Sequence, residues 1–120
     1  MPLLFVYGTL KRGCKNHHLM NGLGYLGEAR TAPGYRLYDL GDFPGMIADE
    51  ADPAGVTGEV WSADAAALAR LDAFEGVADG LYQRAPVKLL APFADQQVHT
   101  YLYARPLTGR PAIGQTWSEL

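Results

Sequence analysis

Short runs of apolar residues, separated by turn-forming residues, recur along the whole chain. The first run is continuously apolar, which is typical of a strand covered on both faces, whereas the last alternates between apolar and polar positions. Glycine and proline punctuate the intervals, and Pro86 interrupts the fifth run, so that strand is predicted to lie at an edge or to carry a bulge. The pattern predicts six strands, at residues 3–7, 25–31, 35–40, 55–61, 82–90 and 98–104.

Two segments have helical patterns. A short helix is predicted from Asn16, as its N-cap, to about Asn21. A clearer helix starts at Ser62 or Asp64, has a body of alanine and leucine, and ends before Gly76, which suits the position after a helix. Because strands dominate, the pattern predicts an α+β fold with a strongly curved sheet or a small barrel.

One acidic residue of the second helix has an unusual position. At helical spacing Glu75 falls between Leu68 and Leu71, on the face expected to meet the core. Loss of hydration there raises the pKa of a carboxyl group, and the end of a helix also disfavours an anion. Such a group exchanges protons near neutral pH, as a general acid/base must. In the alternative interpretation the helix frays at Phe74 and Glu75 turns to water, as most glutamates do.

The first strand runs into a loop of distinctive composition. Gly8 allows unusual dihedral angles and the close approach of a ligand, and successive amides in such a turn form an anion-binding nest. Lys11 and Arg12 follow and add positive potential. The loop therefore predicts recognition of a small anion such as a carboxylate, although an ordinary strand-to-loop turn remains the alternative. A nucleotide phosphate loop is excluded because Cys14 stands where that motif requires lysine.

Composition limits the class of protein. The 120 residues are 48% hydrophobic and 19% charged, which predicts one globular domain covering residues 1–120. A net charge of -3 offers no basic surplus for a nucleic-acid partner. No apolar run approaches the roughly 20 residues that span a bilayer, and the start of the chain lacks a secretory pattern. We therefore expect a cytoplasmic protein with neither a nucleic-acid nor a membrane partner.

Metal and redox chemistry have little support in the sequence. Cys14 is the only cysteine, so no intrachain disulfide forms, and it is interpreted as an incidental thiol. His17 and His18 diverge by about 100° on a helix and lack a third ligand. Asp72 is interpreted as a capping or solvated residue. No metal is expected.

Two further segments have only a structural interpretation. On composition alone, residues 43–46 are predicted to form a turn. The tail, rich in proline and glycine, is predicted to wrap the surface with Trp117 as an anchor. Such a tail is compatible with a monomer or a weak homodimer.

Several short motifs occur in order along the chain: FVYGTLKRG, NHHLM, YLGEA, FPGMI, GEVW, LARLDAFEG and LYQR. Together they resemble the γ-glutamylcyclotransferase-like superfamily, and within it the γ-glutamylamine cyclotransferases and the small bacterial proteins related to them. The likeness runs from Phe5 to about Tyr103. Its specific element is a Tyr-Gly-Thr-Leu loop combined with a Phe-Glu-Gly helix end and a tyrosine seven residues after the glutamate.

The resemblance implies a compact mixed or antiparallel β-barrel of about six strands with a few flanking helices. It implies that Glu75 is the catalytic acid/base and that Tyr82 matches the family's tyrosine beyond it. Residues 43–46 resemble a second loop on the substrate side. Some members lack the glutamate and have no clear activity, whereas this chain retains it. The implied substrate-binding loop consists of Tyr7, Gly8, Thr9 and Leu10.

The reaction implied by the resemblance is an intramolecular aminolysis. The α-amine of a γ-glutamyl group attacks its own γ-carbonyl, 5-oxoproline forms, and the attached amine leaves. Because nucleophile and electrophile share one molecule, we expect no covalent nucleophile, no metal and no cofactor. The implied partner is a small γ-glutamyl compound. Tyr82 is predicted to hydrogen-bond Glu75 or the substrate, or to pack in the core.

Two other functions remain compatible with the sequence. One is a non-catalytic module that binds a small ligand in the same pocket, and the other is an interaction protein with a vestigial pocket. The sequence also leaves the leaving group open among γ-glutamyl-ε-lysine, other γ-glutamylamines, γ-glutamyl-amino acids and a biosynthetic protecting group.

Overall fold

The computed structural model describes residues 2–119 and contains one curled sheet with one α-helix packed beside it. The strands are β1 Leu3–Val6, β2 Gly24–Arg30, β3 Tyr35–Asp39, β4 Pro44–Ala48, β5 Thr57–Ser62, β6 Tyr82–Val87, β7 Val98–Tyr103 and β8 Ala112–Ile113. The helix is α1 Ala65–Phe74, and single 3-10 turns occupy His17–Met20 and Val77–Asp79. The predicted α+β class with a small, strongly curved sheet is confirmed.

The strand order creates a junction in the middle of the sheet. Along the path β2-β5-β1-β7-β4-β3-β8, both β1 and β4 run parallel to β7. β1 pairs with the start of β7, through Leu3 and Val98, whereas β4 pairs with its end, through Met46 and Leu102. The end of β1 therefore meets the beginning of β4. β6 runs antiparallel along the whole of β7 and closes the other side.

Two of the eight strands differ from the expectation. The turn predicted for residues 43–46 is wrong, because β4 begins at Pro44 and pairs with both β3 and β7. A Cβ on Gly45 would lie 2.8 Å from the Leu40 side chain and 2.9 Å from that of Tyr103. Glycine is thus required by close packing against Leu40, across the β3–β4 connection, and against Tyr103 of β7, rather than by a turn conformation. β8, with two residues, was below the length that an apolar pattern can indicate.

The ends of the predicted helix and the edge strand agree with the sequence patterns. Asp64 caps α1 by accepting a hydrogen bond of 2.8 Å from the Ala67 amide. Gly76 has a φ of 66°, the left-handed conformation that follows many helices. Pro86 lies on β6, which pairs only with β7 within residues 2–119 and is therefore an edge strand, as predicted.

The core lies on both faces of the sheet because alternate residues of each strand point to opposite sides. Leu4 and Val6 of β1 pack beneath α1, whereas Phe5 and Tyr7 pack inside the curl. The tail crosses the sheet near β5, where the Thr57 amide donates to the Gln115 carbonyl at 2.8 Å, and Trp117 packs against the core inside the curl. Among residues 2–119, no helix has the length and apolar character to cross a membrane.

Candidate active site

A cavity of about 140 Å³ opens where the end of β1, the start of β4 and the end of α1 meet. Its walls are formed mainly by apolar and aromatic side chains, including Phe43, Phe74 and Leu81. It includes every residue that the sequence analysis singled out as a site residue: Tyr7, Gly8, Thr9, Leu10, Glu75 and Tyr82. Residues 68 positions apart in sequence therefore share one cavity.

The loop after β1 is fixed through its carbonyl groups. Each of three successive carbonyl oxygens accepts a hydrogen bond from a later part of the same loop, and the Asn16 side chain also donates to the Thr9 hydroxyl oxygen at 3.1 Å. This arrangement holds the loop in a single shape. The three carbonyl bonds are Lys11 N to Gly8 O at 3.1 Å, Asn16 N to Thr9 O at 3.0 Å, and His17 Nδ1 with Leu10 O at 3.0 Å.

The amide groups of the same loop have no such partners. Within residues 2–119, no protein acceptor is found for the backbone N–H of Gly8, Thr9 or Leu10, although all three residues are buried. Buried amides without a partner are rare in folded proteins, because each one loses its hydration without compensation. Consecutive donors at the wall of a cavity are a suitable site for the oxygen atoms of an anion.

Gly8 is needed for space and not for an unusual dihedral angle. Its φ does not lie in the left-handed range, contrary to the expectation of unusual dihedrals. A Cβ at this position would lie 2.7 Å from Cγ and 3.0 Å from Cδ of Pro44. Because proline is a stiff neighbour, the first strand of the site can approach β4 this closely only with glycine.

The cations expected beside the ligand point elsewhere. Lys11 Nζ donates to the Trp117 carbonyl at 2.6 Å, and the Arg12 guanidinium pairs with Glu59 at 3.1 Å. Neither lines the cavity; within residues 2–119 the cation that does so is Lys15, whose Nζ also donates to the Asp42 carbonyl. The sequence analysis therefore predicted a positive charge at the site correctly but assigned it to Lys11 and Arg12, whereas the cavity is lined by Lys15.

Two tyrosine hydroxyls at the cavity are already engaged. Tyr7 donates to the Tyr101 carbonyl at 2.6 Å and accepts from the Met46 amide at 3.1 Å. Tyr82 donates to the Pro44 carbonyl at 2.6 Å. Burial raises the pKa of both tyrosines above the usual value, so they are neutral near pH 7.

Of the roles predicted for Tyr82, packing is the one visible in the structure. Its ring lies edge-on to Tyr103 at 5.4 Å and near Phe43 at 6.4 Å. Its hydroxyl bonds to the backbone of β4 and not to Glu75.

Glu75 occupies the last position of the helix without fraying. Its amide donates to the Leu71 carbonyl at 2.8 Å, which closes the last turn. The side chain is partly buried at the cavity wall, and among the described residues it has no hydrogen-bond or ion-pair partner. Burial raises its pKa from 4.5 to about 7. The neighbouring Phe74, and not Glu75, is the exposed residue, with 45% of its surface accessible.

Asp72 differs from the expectation of a solvated flank residue. It accepts two hydrogen bonds from Arg84, at 2.9 and 3.2 Å, and one from the Tyr101 hydroxyl at 2.7 Å. Burial alone would raise the pKa of Asp72, but these hydrogen bonds and the Arg84 charge outweigh burial and lower it. The sequence analysis missed Arg84 and Tyr101, of which Tyr101 lines the cavity. The available signals were the position of Arg84 in the LYQR motif and that of Tyr101 in the alternating strand β7.

The site has no obvious place for a metal ion. Among residues 2–119, no three histidine, cysteine, aspartate or glutamate side chains converge. His17 instead bonds to the Leu10 carbonyl and packs against the Trp61 ring at 5.4 Å. Cys14 is a free, partly buried thiol, and burial raises its pKa.

The fold and cavity define a small α+β protein whose cavity, among the described residues, is lined by the loop after β1 and by the acidic side chain of Glu75. Residues 4–119 match the family described as gamma-glutamyl cyclotransferase, AIG2-like, and the chain belongs to this family. A Vibrio cholerae relative named "Putative gamma-glutamylcyclotransferase" is 38% identical over 99 residues, covering 82% of this chain and 81% of that protein. The gamma-glutamylcyclotransferase family protein YtfP of Escherichia coli is 35% identical over 110 residues, covering 92% and 89%.

Solved structures agree with this assignment. The crystal structure of an AIG2-like protein from mouse superposes with a TM-score of 0.81 at 28% identity, covering 96% of this chain and 87% of that one. The resemblance noted in the sequence motifs is therefore confirmed at the level of the family and of the fold.

Proposed function

We propose that this protein is a cyclotransferase that cleaves a small γ-glutamyl amide and releases 5-oxoproline with a free amine or amino acid. The observation that carries the proposal is the content of one cavity. It combines a carboxyl group with a pKa of about 7 and no protein partner with three consecutive backbone amides that lack acceptors within the described residues. Membership of the γ-glutamylcyclotransferase family supports the same reaction class.

In the proposed reaction the backbone amides of Gly8, Thr9 and Leu10 bind oxygen atoms of the glutamyl group. They hold its α-carboxylate or polarise a carbonyl oxygen, and fixed donors are most effective where water is excluded. Because the loop carbonyls are already bonded, the donors are held in place before the substrate arrives. This fixed loop favours the folded conformation in which the α-amine approaches the γ-carbonyl.

Glu75 performs the proton transfers of the proposed reaction. Its carboxylate takes a proton from the α-ammonium group, and the freed amine forms a bond with the γ-carbonyl carbon. The same proton then passes from Glu75 to the leaving nitrogen, and the bond between that carbon and this nitrogen breaks. Glu75, again ionised, takes the second proton that the ring nitrogen must lose and passes it to the released amine, which departs as an ammonium group. A pKa of about 7 suits both steps, because the group is neither a strong acid nor a strong base. The reaction needs no water and no other reactant.

The test is incubation of the purified protein with a panel of γ-glutamylamines and γ-glutamyl-amino acids, followed by detection of 5-oxoproline. We expect product with the natural chain and a decrease in turnover of about 10²–10⁴-fold in Glu75→Gln. Glu28→Gln is the matched control, because the Glu28 side chain is 85% exposed and lies outside the cavity. Circular dichroism confirms that both variants are folded.

The outcomes separate the alternatives. Binding of a γ-glutamyl compound without 5-oxoproline favours a non-catalytic binding module that uses the same cavity. Turnover in Glu75→Gln equal to that of the natural chain removes Glu75 from the mechanism. Neither binding nor product across the panel overturns the proposal as a whole.

A further inference from the structure

The end of α1 is tied to the sheet by one acidic side chain. The Asp72 carboxylate accepts hydrogen bonds from Nε and Nη2 of Arg84 on β6 and from the hydroxyl of Tyr101 on β7. A paired, two-point bond between a guanidinium and a carboxylate fixes distance and angle together. We call Asp72, Arg84 and Tyr101 the helix-end clamp. All three side chains are partly or fully buried.

Glu75 depends on this clamp for its position. It follows Asp72 by three residues, so the two lie on the same side of the helix, about one turn apart. Since the Glu75 carboxyl has no polar partner among the described residues, its place in the cavity is set by the backbone that carries it. Apolar packing of Leu68 and Leu71 holds the helix against the sheet, and the clamp adds the side-chain hydrogen bonds that fix its end.

The clamp also reaches the opposite wall of the cavity. Tyr101 lines the cavity, and its carbonyl accepts the hydrogen bond from the Tyr7 hydroxyl at 2.6 Å. Tyr7 in turn accepts from the Met46 amide at the start of β4. A change at Asp72 therefore affects the helix end and, through Tyr101, the strand that leads into the substrate loop.

The charges around Glu75 are few. The titratable groups at the cavity are Tyr7 from the end of β1, Tyr82 from β6, Tyr101 from β7 and Lys15 from the loop after β1. Burial keeps the tyrosines neutral. Arg84 on β6 lies outside the cavity lining, and its charge is paired with that of Asp72.

We propose that Asp72 is a positioning residue for Glu75: through Arg84 and Tyr101 it holds the helix end at the cavity wall, and it also balances the Arg84 charge behind that wall. The inference rests on the proposed function for its kinetic consequence only. The inference has two parts, the position of the helix end and the charge near Glu75. Single variants change both, whereas a double variant at Asp72 and Arg84 changes the position and restores the charge balance.

The test compares Asp72→Asn, Arg84→Gln and the double variant. Asp72→Asn leaves the Arg84 charge without a partner, and this positive charge stabilises the ionised form of Glu75. We therefore expect the pKa of the acid limb in the pH profile of kcat/KM to fall by roughly half a unit. Arg84→Gln leaves Asp72 unmatched and moves the limb up by a similar amount. The double variant, which is neutral again, returns the limb to its original position. In all three variants we expect kcat to fall by roughly 10- to 100-fold, with KM changed by less than about threefold, because misplacement affects the reacting geometry.

A second measurement does not require turnover. Carbon NMR titration of the Glu75 carboxyl reports its pKa directly, with the same pattern of signs expected across the three variants. Tyr101→Phe serves as the milder change, since it removes one hydrogen bond and no charge; it lowers kcat and leaves the titration unchanged. Titrations that move in none of the three variants overturn the inference even where the natural chain is active. A downward shift in all three variants supports the positioning role, because a released helix end exposes Glu75 to water, and it rejects the charge part alone. Absence of 5-oxoproline from the natural chain overturns the proposed function and leaves the titration to decide the inference.

Discussion

Two glutamates lie on either side of the loop that follows β1, and their environments are opposite. Glu59 on β5 is 7% exposed and accepts hydrogen bonds of 3.1 Å from the Arg12 amide, from Arg12 Nε and from the Trp61 indole. Glu75 at the end of α1 lines the cavity and has no polar partner among the described residues. Both carboxyl groups are removed from bulk water at least in part, but only for Glu59 do hydrogen bonds replace the lost hydration.

Under the proposed function, this difference separates a structural carboxylate, Glu59, from a chemical one, Glu75. A buried carboxylate with matched donors fixes the elements around it, and Glu59 in this way anchors the far end of the loop after β1 to β5. A buried carboxylate without donors is an unfavourable arrangement that folding alone does not require. Its position at the wall of a cavity that Gly8, Thr9 and Leu10 also line is therefore the better indicator of function.

The largest expected difference is in turnover. The same substitution, glutamate to glutamine, conserves volume at both positions and removes the negative charge. Glu75→Gln loses the proton acceptor, so we expect a decrease of about 10²–10⁴-fold in kcat. Glu59→Gln weakens an anchor outside the cavity, so the decrease stays within about tenfold. Steady-state kinetics on the best γ-glutamyl substrate measures both, and equal losses would remove the distinction between the two glutamates.

The second difference concerns the free energy of unfolding at pH 8, which we expect to rise in Glu75→Gln and to fall in Glu59→Gln. The folded-state pKa of Glu75, about 7, lies above its unfolded value of about 4.5, so the folded protein binds this proton more tightly. The contribution is fully present below pH 4.5 and is lost as the pH rises through 7. Glu75→Gln has no proton to lose, and we expect it to be more stable than the natural chain at pH 8 by up to about 3 kcal/mol.

Urea unfolding at pH 4 and pH 8 measures this effect. The two proteins should have similar free energies of unfolding at pH 4, apart from a constant offset, and diverge above pH 5. A divergence that is absent, or that favours the natural chain at pH 8, would show that the Glu75 carboxyl is solvated in the folded protein.

Part of this comparison was accessible from the sequence. The helical period is a local property, and it placed Glu75 on the same face as Leu68 and Leu71, which are buried. The continuous apolar run of β1 and the alternation of β7 are equally local. The family likeness depended on several short motifs together and was likewise readable in the chain.

The remainder depends on contacts between distant residues. The partners of Asp72 lie 12 and 29 positions away, and no local pattern indicates them. β4 begins with Pro44 and Gly45, residues typical of turns, and becomes a strand because β3 and β7 pair with it on either side. In the same way, Arg12 follows the loop in sequence but is drawn to Glu59, 47 positions away.

The third difference is the loss of stability expected in Glu59→Gln. Glutamine offers one carbonyl oxygen to the three donors that bond to Glu59. Its NH2 group replaces the other oxygen and then faces at least one of these donors. Because Arg12 is half exposed and regains water, we expect a cost of only about 1–2 kcal/mol at pH 8. Chemical denaturation under the conditions used for Glu75→Gln gives the comparison directly, and a stabilising effect would contradict the structural role assigned to Glu59.

The smallest expected effect is on the pH dependence of the reaction. If Glu75 in its ionised form accepts the proton, kcat/KM rises with pH through an acid limb near 7, the pKa that burial produces. Glu59→Gln lies outside the cavity and on the far side of Arg12, so the limb should stay within about 0.3 unit of its original position, even though the protein is less stable. A shift of a full unit in this variant would mean that the two glutamates are electrostatically coupled across the loop after β1. In that case the limb would belong to the pair, and the separation of a structural carboxylate from a chemical one would not hold in this protein.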